Sequence, residues 1–453
     1  MKRAAVSVLV LALALPALAA ASPRQTPRLF QTAADQACTV DGPARGAQRP
    51  CAVSAVTRRV LVDDVAEYSF QVRVGAGAHD VIGVHRVVRE VAPNIPARTS
   101  KALMMAHGDA WGFDAAFLTS LASPAIPDPR ALPIVLARNG VDVWGIDFRW
   151  TLIPAGTTDF AFLKDWGVET DARDLGVAIG IARAGRALTG SGLGRIHLLG
   201  WSRGGIIGYA YLNGETRLPR GLRQVAGFIP VDIFLKTNDE ALRQAACDRY
   251  EALAATIAGG SYQAETGVLF ATLGTLAKTN PTGATPVFPG SGLTNLQAAL
   301  LVGVATFQFA QPVPFYHFVG GTFDAQGLPT GLRYTDVPAW LDFTTGASPY
   351  QPNREVADSE AAICNDPAVA DVPFDDHLGQ ITVPVLYVGA GGGFGQYGVY
   401  TTTLLGSRDV TSRVVSLTPP ADRLFDIGHA DIFLARDARN LFWQPILSWI
   451  QAH

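Results

Sequence analysis

The chain is poor in charge. Of its 453 residues 17% are Asp, Glu, Lys or Arg, and 36 basic against 39 acidic side chains leave a formal net charge of −3. With no basic field and no acidic tail, binding to nucleic acid or another polyanion has no electrostatic support. Cysteine is scarce as well, at four residues. Their spacing offers no metal-ligand cluster, so no zinc site is expected, and no cofactor is implied. Beyond the first 22 residues no apolar run reaches the ~20 residues that a membrane-spanning helix needs. What remains is rich in core material: 48% of the residues are hydrophobic. That is ample for one large domain carrying an insertion, or for two or three smaller ones.

The N-terminus reads as an export signal. Lys2 and Arg3 precede an apolar run from Ala4 to Leu18, followed by Ala17-Leu18-Ala19 or Ala19-Ala20-Ala21 as small-x-small cleavage patterns. The run is too short and alanine-rich for a stable membrane anchor, and no cysteine follows it to carry a lipid. The expectation is a signal peptide over residues 1–21 and a secreted or periplasmic mature protein. An oxidising compartment makes the four cysteines candidates for disulfides. Of three possible connectivities the favoured one is Cys38–Cys51 with Cys247–Cys364. By loop-entropy arithmetic these contribute about 3 and 5 kcal/mol.

Residues 22–235 form the first part of an expected core. After a polar, Pro-rich lead, Tyr68–Val74 and Asp80–Glu90 alternate as an edge hairpin. Apolar strands at 102–106, 141–146, 196–200 and 225–231 then alternate with helical patterns at Ala115–Leu121 and Thr170–Leu188, the latter opening on a Thr cap. That rhythm implies a parallel sheet covered on both faces, with functional groups at the carboxyl ends of its strands. His107, Asp147, Ser202 and Asp232 all fall at such ends. Residues 236–378 break the rhythm. Helices at Asn238–Gly259 and Gly267–Lys278, then aromatic stretches at Leu300–Phe318 and Tyr334–Pro352, read as an inserted cap whose two ends the Cys247–Cys364 bridge would clasp. The core resumes over 379–453, with strands at Val383–Val388 and Arg413–Leu417 and a last helix from Asp437 to Ile450.

The chemistry concentrates at Gly200-Trp201-Ser202-Arg203-Gly204. A serine between flanking glycines, after an apolar strand and before a helix, sits on a sharp turn that lifts its hydroxyl clear of the backbone. The helix behind it points its positive end at an oxyanion. Such a serine is a candidate nucleophile and needs a base.

Together with His107-Gly108-Asp109 upstream and Gly428-His429-Ala430-Asp431 downstream, this motif resembles the α/β-hydrolase family over residues 60–235 and 380–450. The resemblance implies an α/β fold with a mostly parallel sheet and a cap inserted between the family's sixth and seventh strands. It also implies Ser202 as nucleophile and His429 as base. His377, which precedes the family's seventh strand, is the competing histidine. Backbone N–H groups of Asp109 and Arg203 would form the oxyanion hole. A carboxylate at Asp109 is unusual there and should turn away or pair with a cation.

The family usually carries its acid after the seventh strand, where this chain has only Gly389–Gly398, without a carboxylate. Some members carry it after the sixth, which here is Asp232; Asp409 is the alternative. The G-x-G-x-x-G at Gly393–Gly398 lacks the flanking elements of a nucleotide site and reads instead as a flexible wall of the active site. Asp147 and Arg149 read as fixing the turn after their strand. His107, Trp111 and Trp201 are candidates for the substrate pocket. The implied activity is hydrolysis of a small, apolar carboxylic ester through an acyl-enzyme intermediate. A lactonase, lipase, peptidase or acyltransferase on the same fold is the alternative, as is a binding protein on a retired hydrolase fold.

Overall fold

The computed structural model describes residues 54–126 and 130–453. The expected leader, its cleavage site and the Cys38–Cys51 pair lie outside the described residues. The centre of the molecule is one sheet built from β1 (Thr57–Val62), β2 (Val65–Arg73), β3 (Val81–Ala92), β4 (Lys101–Ala106), β5 (Val141–Asp147), β6 (Ile196–Trp201), β7 (Val225–Val231), β8 (Val385–Ala390) and β9 (Val410–Val415). Its order is β1-β2-β3-β5-β4-β6-β7-β8-β9, with Ile95–Pro96 paired onto β3. β1, β2 and β3 pair antiparallel, as do β3 and β5; from β5 to β9 every pairing is parallel.

Period-two side-chain alternation makes each central strand serve two cores. In β4, Leu103 and Met105 face one hydrophobic cluster, while Ala102, Met104 and Ala106 face the other. The first cluster is covered by α1 (Phe113–Phe117) and α2 (Leu132–Arg138). The second is covered by α3 (Val168–Leu188) and α4 (Arg203–Glu215). Each fully buried Leu, Ile or Val contributes about 1.5–3 kcal/mol, so burial on both faces explains why these strands read as continuous apolar runs.

Two departures from the sequence reading have local causes. β1, T-R-R-V-L-V, is a mostly exposed edge strand. Its arginines pair with Glu90, Glu67 and Asp114 rather than alternating with apolar residues, so it leaves no strand-like signature. α3 begins at Val168 after Gly167, and Thr170 is not its cap. The threonine sits in the first turn and donates its hydroxyl to Asp165 O at 3.2 Å.

Between β7 and β8 the chain leaves the sheet and forms α5 (Glu240–Ala258), α6 (Thr266–Thr279), α7 (Asn295–Val304), α8 (Val337–Thr345) and α9 (Asn353–Cys364). α5 is capped by Asp239, which accepts from the N–H groups of Ala241 and Leu242. α7 carries a reciprocal Thr294/Gln297 capping box. Only the start of the apolar stretch 300–318 is helical: α7 ends at Val304 and the chain continues as a short 3-10 turn and irregular backbone. Cys247 of α5 and Cys364 of α9 are joined by a disulfide, Cα–Cα 4.7 Å. Beside it, Lys236 Nζ holds Ala362 O at 2.9 Å and Asp375 Oδ2 at 2.6 Å, tying the segment's departure to its return. After β8 come α10 (Tyr397–Thr403) and α11 (Gln444–Ala452), the latter preceded by a wide π-type turn over Arg439–Trp443. Pro445 has no N–H to continue a regular ladder there. Among the described residues no helix is long and apolar enough to cross a membrane.

Candidate active site

β6 ends at Trp201, and the next residue, Ser202, takes φ +55° and ψ −134° before α4 begins. A non-glycine residue with these angles is strained and persists only where its surroundings hold it. Here Ser202 N–H donates to Val231 O at 2.9 Å, and Ser202 O accepts from Gly205 N–H at 2.8 Å. The 107–109 turn passes against the serine. A methyl at Gly108 would lie 2.5 Å from Ser202 Cβ, so only glycine lets the turn approach this closely.

Asp232, the first residue after β7, is fully buried and also adopts a positive φ, +48°. Its Oδ2 lies 2.7 Å from His429 Nδ1. The glycine loop after β8 cradles the carboxylate: Oδ1 accepts from the N–H of Ala390 and of Gly395, both at 2.9 Å, and Oδ2 from Phe394 N–H at 3.1 Å. A methyl at Gly393 would lie 1.9 Å from Oδ2. The loop is therefore a carboxylate cradle rather than the flexible wall that its composition suggested. Its glycines let the backbone close on an anion, although Phe394 does reach the cavity.

His429 is buried to 1% exposure, with its ring stacked on Trp201 at 4.9 Å between centroids. Tyr316, Phe318 and Phe394 surround the rest of the ring. Nδ1 faces a carboxylate, so it carries the proton and Nε2 is left to accept. Among the described residues, neither Nε2 nor Ser202 Oγ hydrogen-bonds to another protein group, and both residues line one cavity of about 630 Å³.

Asp109 and Arg203 flank the serine, and their side chains form a bidentate pair, Nε–Oδ1 2.5 Å and Nη2–Oδ2 2.7 Å. The carboxylate thus takes as its cation the residue that directly follows the serine. Burial opposes its charge, but Arg203 and a hydrogen bond from Gln351 hold the Asp109 carboxyl below the usual carboxylate range. Trp111 and Trp201 line the cavity.

His107 does not. It is fully buried beneath the turn, where Nε2 accepts from Phe148 N–H at 3.2 Å and Nδ1–H donates to Gly108 O at 2.9 Å. Burial lowers its pKa, in keeping with a neutral ring. Its place in the substrate pocket is therefore withdrawn: both ring nitrogens are used up in backbone contacts.

Other candidates lie away from the cavity. Asp409 precedes β9 at the opposite end of the sheet and contacts His453 at 3.1 Å. His377 sits before β8, with its ring against Gln380. Asp147 accepts from Phe113 N–H at 2.6 Å, and Arg149 pairs with Asp174 of α3 and with Asp80, so both tie the end of β5 to neighbouring elements rather than fixing the turn after it. Glu67, His85 and Asp114 bring three ligand-type atoms within 4.8 Å of one another. Arg59 pairs with both carboxylates, however, and His85 bridges Glu67 and Asp147 at 2.7 and 2.9 Å, so the cluster is a charge-compensated strand linker.

Two residues given no role from the sequence support the site. His317, from the inserted segment, donates its N–H to Gly392 O at 2.9 Å and accepts His429 N–H on its carbonyl at 3.0 Å, bridging the acid's cradle to the histidine loop. Fully buried Asp431, two residues past His429, accepts at 2.8 Å from the N–H groups of Gly428 and Gly320. Burial pushes its pKa up to about 6 against those bonds. Asp431 stands in the motif that carries the family resemblance, although its role there was not read, and nothing in the local pattern marks His317.

The strand order, the strained serine turn after β6 and the loops at the carboxyl edge define the α/β-hydrolase fold. Within it, the chain is similar to the crystal structure of a lipase candidate from Sulfolobus solfataricus: TM-score 0.59, 17% identity, covering 88% of this chain and 98% of that one. More distant similarity extends to a monoglyceride lipase from Saccharomyces cerevisiae, with TM-score 0.42, 11% identity and 82% and 92% coverage. An enol-lactonase from Burkholderia xenovorans gives TM-score 0.38, 10% identity and 82% and 97% coverage. No protein-family model matches the sequence, and the comparison with curated proteins finds no match.

Proposed function

We propose that this chain is an exported serine hydrolase that cleaves apolar carboxylic esters through an acyl-enzyme, with residues 236–378 as a cap over the site. The observation that carries this reading is the 2.7 Å contact between Asp232 and His429, in a cavity shared with the strained Ser202. Ser202 Oγ attacks the ester carbonyl while His429 Nε2 takes its proton. Asp232 stabilises the imidazolium through Nδ1–H, and the backbone N–H groups of Arg203 and Asp109 receive the oxyanion. Collapse expels the alcohol, which leaves with the proton from His429. Water then repeats the cycle, releasing the acid and restoring the serine.

The cavity supports the substrate class. At about 630 Å³ it falls within the range of small-molecule sites. Trp111, Phe270, Phe318, Ile206, Leu253 and Leu269 give it apolar walls suited to a hydrophobic acyl or alcohol group. The test is labelling by a fluorophosphonate together with hydrolysis of a panel of p-nitrophenyl esters and lactones. Wild type should label and turn over, and Ser202→Ala should do neither, with kcat reduced at least ~10⁴-fold. Equal labelling of the two folded proteins would remove the nucleophile from this reading.

A further inference from the structure

The turn beside Ser202 is held from outside the core. Ala110, which continues it beyond Asp109, has φ +65°, a conformation that an alanine keeps only under external constraint. Three hydrogen bonds reach the turn from one short stretch of the inserted segment. Gln351 Nε2 donates to Asp109 Oδ1 at 2.6 Å, Ser348 N–H donates to Ala110 O at 2.6 Å, and Trp111 Nε1–H donates to Phe343 O at 2.8 Å. All three bridge more than 200 residues of sequence.

The donor side is itself rigid. Gln351 is 4% exposed. Gln351–Pro352 pairs antiparallel with Gln263–Ala264, and Asn353 Nδ2 donates to Ser261 O and Gln263 O at 3.1 and 3.2 Å. On the acceptor side, Asp109 Oδ1 is shared between Gln351 and Arg203, and Arg203 also holds Oδ2. The carboxylate is thereby directed onto two cationic or polar donors. An anion forming at the serine would otherwise be repelled by it.

We infer that Gln351 is a positioning residue for the oxyanion turn, so that the inserted segment completes the hole rather than merely roofing the cavity. This rests on the hydrolase reading above. Gln351 acts through Asp109: its N–H fixes the carboxylate, and the fixed side chain sets the direction of the Asp109 peptide N–H. An interaction that shapes an oxyanion hole acts on the transition state and leaves ground-state binding nearly unchanged. Gln351 also lines the cavity, so a substrate-contacting role is the competing explanation, and the two differ in the kinetic constant they move.

The experiment measures kcat and KM with p-nitrophenyl butyrate for wild type, Gln351→Leu, Asp109→Asn and the double variant, with thermal unfolding as the control for folding. Gln351→Leu should lower kcat about tenfold with KM within twofold, and it should add little to Asp109→Asn, because the two substitutions break one chain of contacts. A raised KM at unchanged kcat, or fully additive effects in the double variant, would overturn the inference. If the leucine variant does not fold, Gln351→Met removes the same donor with a side chain of similar length. A wild type that neither labels with fluorophosphonate nor hydrolyses esters takes down both readings. An active wild type whose kcat is indifferent to Gln351 takes down this one alone.

Discussion

In the site as proposed, the acid–base half and the oxyanion half are held by different kinds of matter. The acid–base half is held mainly by core backbone. Three peptide N–H groups of one glycine loop fix Asp232, and Asp232 fixes His429. The oxyanion half is held by side chains and by the inserted segment: Arg203 and Gln351 on Asp109, Ser348 on Ala110, and Phe343 on Trp111. Backbone donors at strand ends come with the sheet and survive every substitution except proline, whereas side-chain donors can be lost one at a time. The acid–base half should therefore lose most when its centre or the loop that closes on it is changed, and the oxyanion half by degrees.

The sharpest break is at the acid. Asp232→Asn leaves the cradle occupied but presents a group that cannot stabilise the imidazolium. It should lower kcat by about 10³–10⁴-fold. Asp409→Asn, at the far end of the sheet, should stay within twofold. The reverse ranking in ester hydrolysis would move the acid and dissolve the contrast. A smaller effect belongs to the cradle itself. Gly393→Ala puts a methyl 1.9 Å from Asp232 Oδ2, so the loop or the carboxylate must give way. A displacement near 1 Å in a catalytic array is worth about 10²-fold. Gly214→Ala in α4, where the added methyl meets nothing within 4 Å, is the matched control. If both glycine variants keep wild-type kcat, the loop is not what positions the acid.

The same division explains what could be read from the sequence. Ser202, Asp232 and the oxyanion turn each stand at the end of an apolar run, where a polar or strained residue has no packing reason to be. The run and its exception are adjacent in sequence, so local pattern suffices. The sheet was legible for the same reason, except β1, whose arginines alternate with nothing, and β9, which runs from Val410 to Val415 rather than from Arg413 to Leu417 because its first residues are exposed and mostly polar. His107 looked like a pocket residue because its position in the turn is visible while its backbone partners, Phe148 above all, are not. The glycine loop was misread because composition records the freedom of glycine but not the buried anion that uses it. Gln351, Ser348 and His317 carried no signal: each acts on residues more than 70 positions away, and only the folded chain brings them together.

The gentlest probe of the contrast is pH, which reaches the oxyanion half through Glu355. This residue of α9 is 1% exposed, with Oε2 3.3 Å from Gln351 Nε2. It is faced by Arg203 of α4, Asp109 of the turn, Asp171 of α3 and Asp358 of its own helix. Burial is the largest influence and pushes the Glu355 carboxyl up to about 8; Arg203 opposes this, and Asp109 and Asp358 add to it. A carboxyl whose folded pKa lies above its ordinary 4.5 stabilises the fold below that value and loses the contribution as pH rises to about 8. The melting temperature of wild type relative to Glu355→Gln should therefore fall from pH 5 to about 8 and level off above it. Over the last part of that rise a new negative charge appears beside Gln351 and Arg203 and competes with Asp109 for their donors. Wild-type kcat should accordingly decline a few-fold above pH 8 while that of Glu355→Gln does not, and KM should hold steady in both. Parallel kcat profiles for the two proteins would mean that the oxyanion turn is deaf to the helix beneath it, and that the inserted segment supports the site only as a frame.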